Sequence, residues 1–180
     1  MRLIRNLLLF ASLVTLTACG FQLRGVSAPM KPLPFASLYL DGQGSVLPEL
    51  KKALERDPRL KLVASAKDAE AVLVVTDEQS AKDILTINRG GKVNEYLLTL
   101  RVTAEVTQNA EPLGAPRTVL VRRKLGYADQ DVLGKEEEEA SLWKDMRRDA
   151  ADQLVRSLAY VKPLPAAGQQ SIKPDAQPQR

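Results

Sequence analysis

The sequence predicts an α+β two-layer sandwich, with about two helices packed on one face of a four-stranded mixed or antiparallel sheet. Three observations predict it. Tyr96, Leu98, Leu100, Val102, Ala104 and Val106 alternate with Leu97, Thr99, Arg101, Thr103, Glu105 and Thr107, one face apolar and one mostly polar, the period of a half-buried strand. Ser45 to Arg56 places Val46, Leu47, Leu50, Ala53 and Leu54 on one helical face. Lys135 to Val161 carries Leu142, Met146, Ala150, Leu154, Leu158 and Val161 as a stripe, with Trp143 beside it.

The first elements of the chain are export elements. Met1 to Asn6 holds Arg2 and Arg5, and Leu7 to Leu16 is free of charge. A basic start, a short apolar core and small residues at the exit describe a signal peptide over residues 1–18. The apolar core is too short for a helix that spans a bilayer, which needs about 20 residues. Leu16-Thr17-Ala18-Cys19 resembles the bacterial lipobox. That resemblance implies cleavage before Cys19 and a diacylglyceryl group plus an N-acyl chain on it. Two or more chains anchor a protein stably, where one does not. Gly20, and not Asp, follows the cysteine, which by the sorting convention implies the outer membrane.

Residues 19–34 then read as an acylated start and an extended tether, because Pro29, Pro32 and Pro34 forbid helix. The folded unit is expected over 35–162. Its first strand is Phe35 to Leu40, stopped at Asp41-Gly42-Gln43-Gly44. The first helix follows, with Ser45 as its cap and an end before Pro58. Leu60 to Val63 is a short strand. Ala71 to Thr76 is a valine-rich run suited to a strand covered on both faces. The alternating strand comes next, then a hairpin connection at Pro112 to Pro116. Thr118 to Tyr127 alternates again, antiparallel to it, with Val119, Val121, Leu125 and Tyr127 on one side and Arg123 breaking that face. The last helix has Glu136 to Glu139 in its first turn and cations nearer its end, which suits the helix dipole. Asp152 and Arg156 are spaced for an ion pair within it. Four prolines and few apolar groups make residues 163–180 a disordered tail.

Composition narrows function. Histidine is absent and cysteine occurs once, so histidine-based triads, general bases and metal sites are excluded. No GxGxxG, P-loop or metal-ligand spacing occurs, and an enzyme is not expected. Aromatics are only 4% of residues, too few for a stacking platform for bases. The formal charge of +4 includes Arg2 and Arg5, so the exported chain carries about +2, which does not mark a nucleic-acid binder.

Several segments together resemble one family. Cys19-Gly20-Phe21-Gln22-Leu23-Arg24-Gly25 follows the lipobox. Asn88-Arg89-Gly90-Gly91-Lys92 runs into Glu95-Tyr96 and the long strand. Asp131-Val132-Leu133-Gly134-Lys135 opens the acidic helix, which ends Gln153-Leu154-Val155-Arg156-Ser157-Leu158. Their order and spacing are similar to those of the LPS-assembly lipoproteins LptE, also called RlpB. The resemblance implies an outer-membrane lipoprotein that plugs and helps assemble the LptD β-barrel. The pair forms the translocon that delivers lipopolysaccharide to the outer leaflet, and the lipoprotein binds lipopolysaccharide itself, without catalysis or cofactor. It further implies that Arg89 and Lys135, with Lys92 as an addition, meet the ligand's phosphates, which suit cations with flexible or forked donors. The two turns that carry them are expected at one end of the domain, forming one basic patch. Arg122, Arg123 and Lys124 form a rival patch, or a solvated strand edge. Two other readings of the residues remain: a lipid carrier with an apolar cavity, and an accessory of a different outer-membrane machine.

Overall fold

The computed structural model describes residues 31–127 and 132–161. Its elements are β1 (Ser37–Gly42), α1 (Leu47–Glu55), β2 (Lys61–Leu62), a 3-10 turn (Ala66–Asp68), β3 (Ala71–Ile87), β4 (Val93–Gln108), β5 (Glu111–Pro112), β6 (Arg117–Gly126) and α2 (Val132–Leu158). Cys19 and the segments on either side of the folded unit lie outside the described residues.

The sheet is mixed and the class is as expected. β1 pairs in parallel with β2 and with β3, and β4 pairs antiparallel with β3, β5 and β6. The sheet has six strands where four were expected. Two of the six, β2 and β5, are two residues long.

The core lies between one face of the sheet and the two helices. β4 contributes Leu98, Leu100, Val102, Ala104 and Val106, all buried. Their neighbours in register are Leu73 and Val75 of β3 and Val119 and Val121 of β6, and Leu125 of β6, opposite Tyr96, is buried beside them. Met146, Ala150, Ala151, Leu154 and Leu158 of α2 and Leu50 and Leu54 of α1 close the layer, with Leu142 and Trp143 partly buried at its margin. Asp57 is the one polar side chain buried among the described residues. It accepts hydrogen bonds from Arg59 Nε at 2.8 Å and Nη2 at 2.7 Å, which hold its carboxyl below the usual range and brace the turn after α1.

β3 is the largest departure from expectation. It does not stop at Thr76 but continues to Ile87. The register with β4 shifts between Val75 and Asp77, so Thr76 is an extra residue, a β-bulge. Before the bulge Ala71, Leu73 and Val75 face the helices. After it the phase flips, and Glu78, Ser80 and Lys82 share the face of Val102, Leu100 and Leu98. No apolar period survives that flip, which is why the sequence pattern ends at Thr76.

Other boundaries move for equally local reasons. The chain turns after β4 at Asn109 and Ala110, which both adopt positive φ, and Pro112 already pairs back in β5. The connection is therefore earlier than Pro112 to Pro116. Ser45 does not cap α1. Glu78 does so from across the sheet, accepting Val46 N–H at 3.0 Å and the Ser45 hydroxyl. α2 begins at Val132, so Glu136 to Glu139 sit beyond its first turn, which holds no acid. The dipole account of those glutamates is thereby withdrawn. Asp152 pairs with Arg56 of α1 and not with Arg156, so it ties the two helices together.

Two substitutions test this packing. Leu98→Ala, at a fully buried site, should cost about 2–5 kcal/mol in urea unfolding. Gly42 has φ +114°, and an added Cβ would sit 2.5 Å from the Val75 carbonyl oxygen. Gly42→Ala should therefore lower stability by about 1–3 kcal/mol, as backbone strain does. A stability equal to wild type would refute the β1–β3 register.

Candidate functional site

The candidate cations lie on two elements, the β3–β4 turn and the start of α2. The turn is built by Asn88. Its side-chain Oδ1 accepts Gly90 N–H at 2.9 Å and Lys92 N–H at 3.1 Å. Its backbone N–H donates to Lys92 O at 2.8 Å, and its carbonyl accepts Gly91 N–H at 3.0 Å. An Asn can organise a turn in this way because its short amide reaches backbone two residues on. Gly91, at φ +78°, supplies the left-handed step. The result is an ordered loop with Arg89 at its tip. Arg89 is exposed and forms no ion pair among the described residues. Lys92 is exposed at the turn's exit.

The strands beneath this turn carry apolar residues into solvent. Ile84 and Ile87 are 61% and 64% exposed, and Leu85 lies between them. The tip thus joins a cation to an apolar shoulder, a combination that suits an anionic amphiphile more than a soluble anion.

Lys135 is in a different state. Its Nζ lies 2.6 Å from Glu138 Oε2, one turn along the helix, and its side chain is only 23% exposed. Its charge is partly answered within α2. Relative position follows from another pair: Lys82 of β3 reaches Glu139 of α2 at 2.6 Å. The same ammonium lies 4.5 Å from the ring centroid of Tyr96. Lys135 is four residues from Glu139, a rise of about 6 Å along the helix. Arg89 is seven residues from Lys82, about 23 Å of extended chain. The far end of α2 instead meets the N-terminal segment, where Lys31 Nζ stands 4.2 Å over the Tyr160 ring. Arg89 and Lys135 therefore stand on different elements, and Lys82 is a point at which those elements meet.

No sequence pattern pairs Lys82 with Glu139. Lys82 sits beyond the point where the strand pattern fails, and its partner is 57 residues away. Glu139 also accepts Trp143 Nε1–H at 3.2 Å. The hydrogen bond from Lys82, then that from Trp143, holds its carboxyl below the usual range against a raising effect of burial. Of the rival patch, Arg123 is answered by Asp149 at 2.9 Å, while Arg122 and Lys124 point away on the open face. Among the described residues no group of three or more Cys, Asp or Glu side chains is placed to hold a metal ion. No described helix is long and apolar enough to cross a membrane.

These elements define an α+β sandwich with an ordered, cation-tipped hairpin. Solved structures share the arrangement. An uncharacterized lipoprotein B from Nitrosomonas europaea matches with a TM-score of 0.66 and 29% identity, over 78% of this chain and 90% of that one. The rare lipoprotein B from Shewanella oneidensis matches at 0.59 and 26%, over 68% and 93%. The LPS-assembly lipoprotein LptE of Pectobacterium atrosepticum is 31% identical over 176 residues, 96% of this chain and 90% of that protein. The lipopolysaccharide-assembly family model matches residues 36–158. The chain belongs to the LptE family.

The Lys82–Glu139 pair makes a pH prediction. A carboxyl whose pKa is lowered by folding contributes stability that is present above its unfolded value, about 4.3, and lost as pH falls through the folded value. Thermal unfolding of Glu139→Gln should lie about 2–4 °C below wild type at pH 7, and the two should converge below about pH 4. A constant difference across that range would remove the ion pair from the account.

Proposed function

We propose that this chain is an outer-membrane lipoprotein, anchored through acylated Cys19, that plugs and helps assemble the LptD β-barrel and binds lipopolysaccharide on its way to the outer leaflet. The observation that carries the reading is the family match across the whole folded unit. Three features of the molecule support it. The open face of the sheet is polar, with Thr99, Arg101, Thr103, Glu105 and Thr107, and a barrel lumen is polar as well. Thr103 and Thr118 share a hydrogen bond there at 3.1 Å, so the polar groups are partly paired and not merely solvated.

The third feature is length. Ala36 N–H donates to Glu70 at 2.7 Å, so the N-terminal segment is fixed where β3 begins. β3 then runs 17 residues to the Arg89 turn, about 55 Å. The hydrocarbon core of a bilayer is about 30 Å. The long axis that β3 gives the folded unit thus exceeds the thickness of that core.

In this reading Arg89, with Lys92, takes phosphate groups of lipopolysaccharide, and Ile84, Leu85 and Ile87 lie against its apolar part. Lys135 takes a second anionic group once Glu138 releases it. The proposal is one basic surface on two elements, serving a ligand with several phosphates.

Affinity purification of the acylated protein from outer membranes should recover a large barrel protein in stable stoichiometry. Recovery without any barrel would sink the plug reading. Arg89→Asp with Lys135→Asp should weaken lipopolysaccharide binding about tenfold or more while leaving circular dichroism unchanged. Undiminished binding would remove those two residues from the site.

A further inference from the structure

β6 is an edge strand of unusual openness. It pairs with β4 over ten consecutive residue pairs, Glu95↔Gly126 to Ala104↔Arg117, with no register shift. No proline interrupts it. Among the described residues no strand pairs with its other side. Edges are usually blunted by bulges, prolines, shortness or charge, and here charge is the only one of these devices.

The direction of its free backbone groups follows from one bond. Tyr127 N–H donates to Asn94 O at 2.9 Å, one step beyond the ladder. Antiparallel pairs alternate between bonded and non-bonded, so odd-numbered residues of β6 bond to β4. The even-numbered residues Thr118, Leu120, Arg122 and Lys124 then turn N–H and C=O outward. A second bond agrees: the Arg122 carbonyl is met by Arg123 Nη1 at 2.9 Å, a surface side chain filling in for a missing strand.

The same even-numbered residues place their side chains on the open face. Leu120 is 45% exposed. Arg122 and Lys124 stand opposite Thr99 and Leu97, and neither makes an ion pair among the described residues. Glu95, diagonal to Lys124, is turned instead to the Thr86 hydroxyl at 3.2 Å. Two cations without an ion pair among the described residues therefore stand next to a row of outward main-chain donors and acceptors, of which the Arg122 carbonyl is met by the Arg123 side chain.

We infer that the β6 edge takes up an extended acidic strand from a polypeptide partner. Main-chain hydrogen bonds to Leu120, Arg122 and Lys124 would seat it, with the incoming strand displacing Arg123 Nη1 from the Arg122 carbonyl; an apolar residue would face Leu120, and carboxylates two residues apart would face Arg122 and Lys124. The charges select the partner as well as attract it. A second β6 edge would bring cation against cation, whereas an acidic strand turns the same cations into cross-strand pairs. This inference goes beyond the plug reading and stands whether or not a barrel supplies the strand.

A synthetic ten-residue peptide tests it, alternating threonine with valine and two glutamates on one face, titrated into the full-length protein in detergent. Binding should weaken about tenfold with Arg122→Glu plus Lys124→Glu, and to the same degree when the glutamates become glutamines. Leu120→Pro deletes one outward N–H and spares the β4 ladder, so it should abolish binding while Leu120→Ala retains it. A peptide N-methylated on the amides that face β6 should fail to bind the unaltered protein, a readout that needs no variant to fold. Full binding of the N-methylated peptide, or equal binding of the glutamine peptide, would overturn the inference. So would self-association of the protein through this edge, seen by sedimentation and lost with Arg122→Glu.

Discussion

The β3–β4 ladder is the constraint on which the rest of this molecule depends. It fixes the length of the domain, supplies both walls of the hairpin and aligns the core face of β4 with the helices. Every other strand except β2, which pairs with β1, is positioned by one of these two. β1 is carried on the first five residues of β3, and β6 and β5 on successive parts of β4. The helices then cover only what is apolar. α2 lies chiefly on β6 and α1, with Asp152–Arg56 and Asp149–Arg123 as polar ties at its flanks. Such pairs are half exposed, and each contributes little alone. Orientation, more than stability, is what they set.

The bulge at Thr76 divides the ladder into two halves with different duties. On the near half the sheet face is apolar and roofed. On the far half the same face carries Glu78, Ser80 and Lys82, and each end of that row is committed. Glu78 holds the start of α1, and Gly44 is required beside it because an added Cβ would strike its carboxylate. Lys82 holds Glu139 and lies over Tyr96, which in turn meets the edge of the Tyr127 ring at 5.4 Å. One extra residue thus converts core positions into polar clamps for the two helices. It also leaves the hairpin beyond Lys82 without a roof, free to project.

The sequence was legible where a period met a cover. β4 reads almost to the residue because Leu98 to Val106 alternate under the helices, and α2 reads because its stripe is continuous. It was illegible where a period changed phase or had no cover. The far half of β3 has neither apolar alternation nor turn residues, so nothing local marks it as strand. Its evidence is the partner, since every residue from Asp77 to Asp83 has a β4 mate. The candidate cations show the same split. Asn88 and Gly91 announce the turn that presents Arg89. The i,i+3 spacing of Lys135 and Glu138 is local, but no local pattern announces that Arg123 is answered by Asp149 while its neighbours are not.

That last difference bears on why an open sheet face and an unblunted edge persist at all. A free-standing protein with such surfaces risks pairing with its own copies. Charge removes part of that risk, because Arg122 and Lys124 repel an identical edge and leave an acidic strand as the favoured neighbour. Place, in the proposed reading, removes more. A lipid anchor restricts the chain to one surface, where a partner on the same membrane is met at high effective concentration. Weak main-chain and charge contacts are then sufficient, and the domain has no need of the large apolar interface that an untethered partner would require. The polar, half-roofed sheet is in that sense the form expected of a domain completed by its partner.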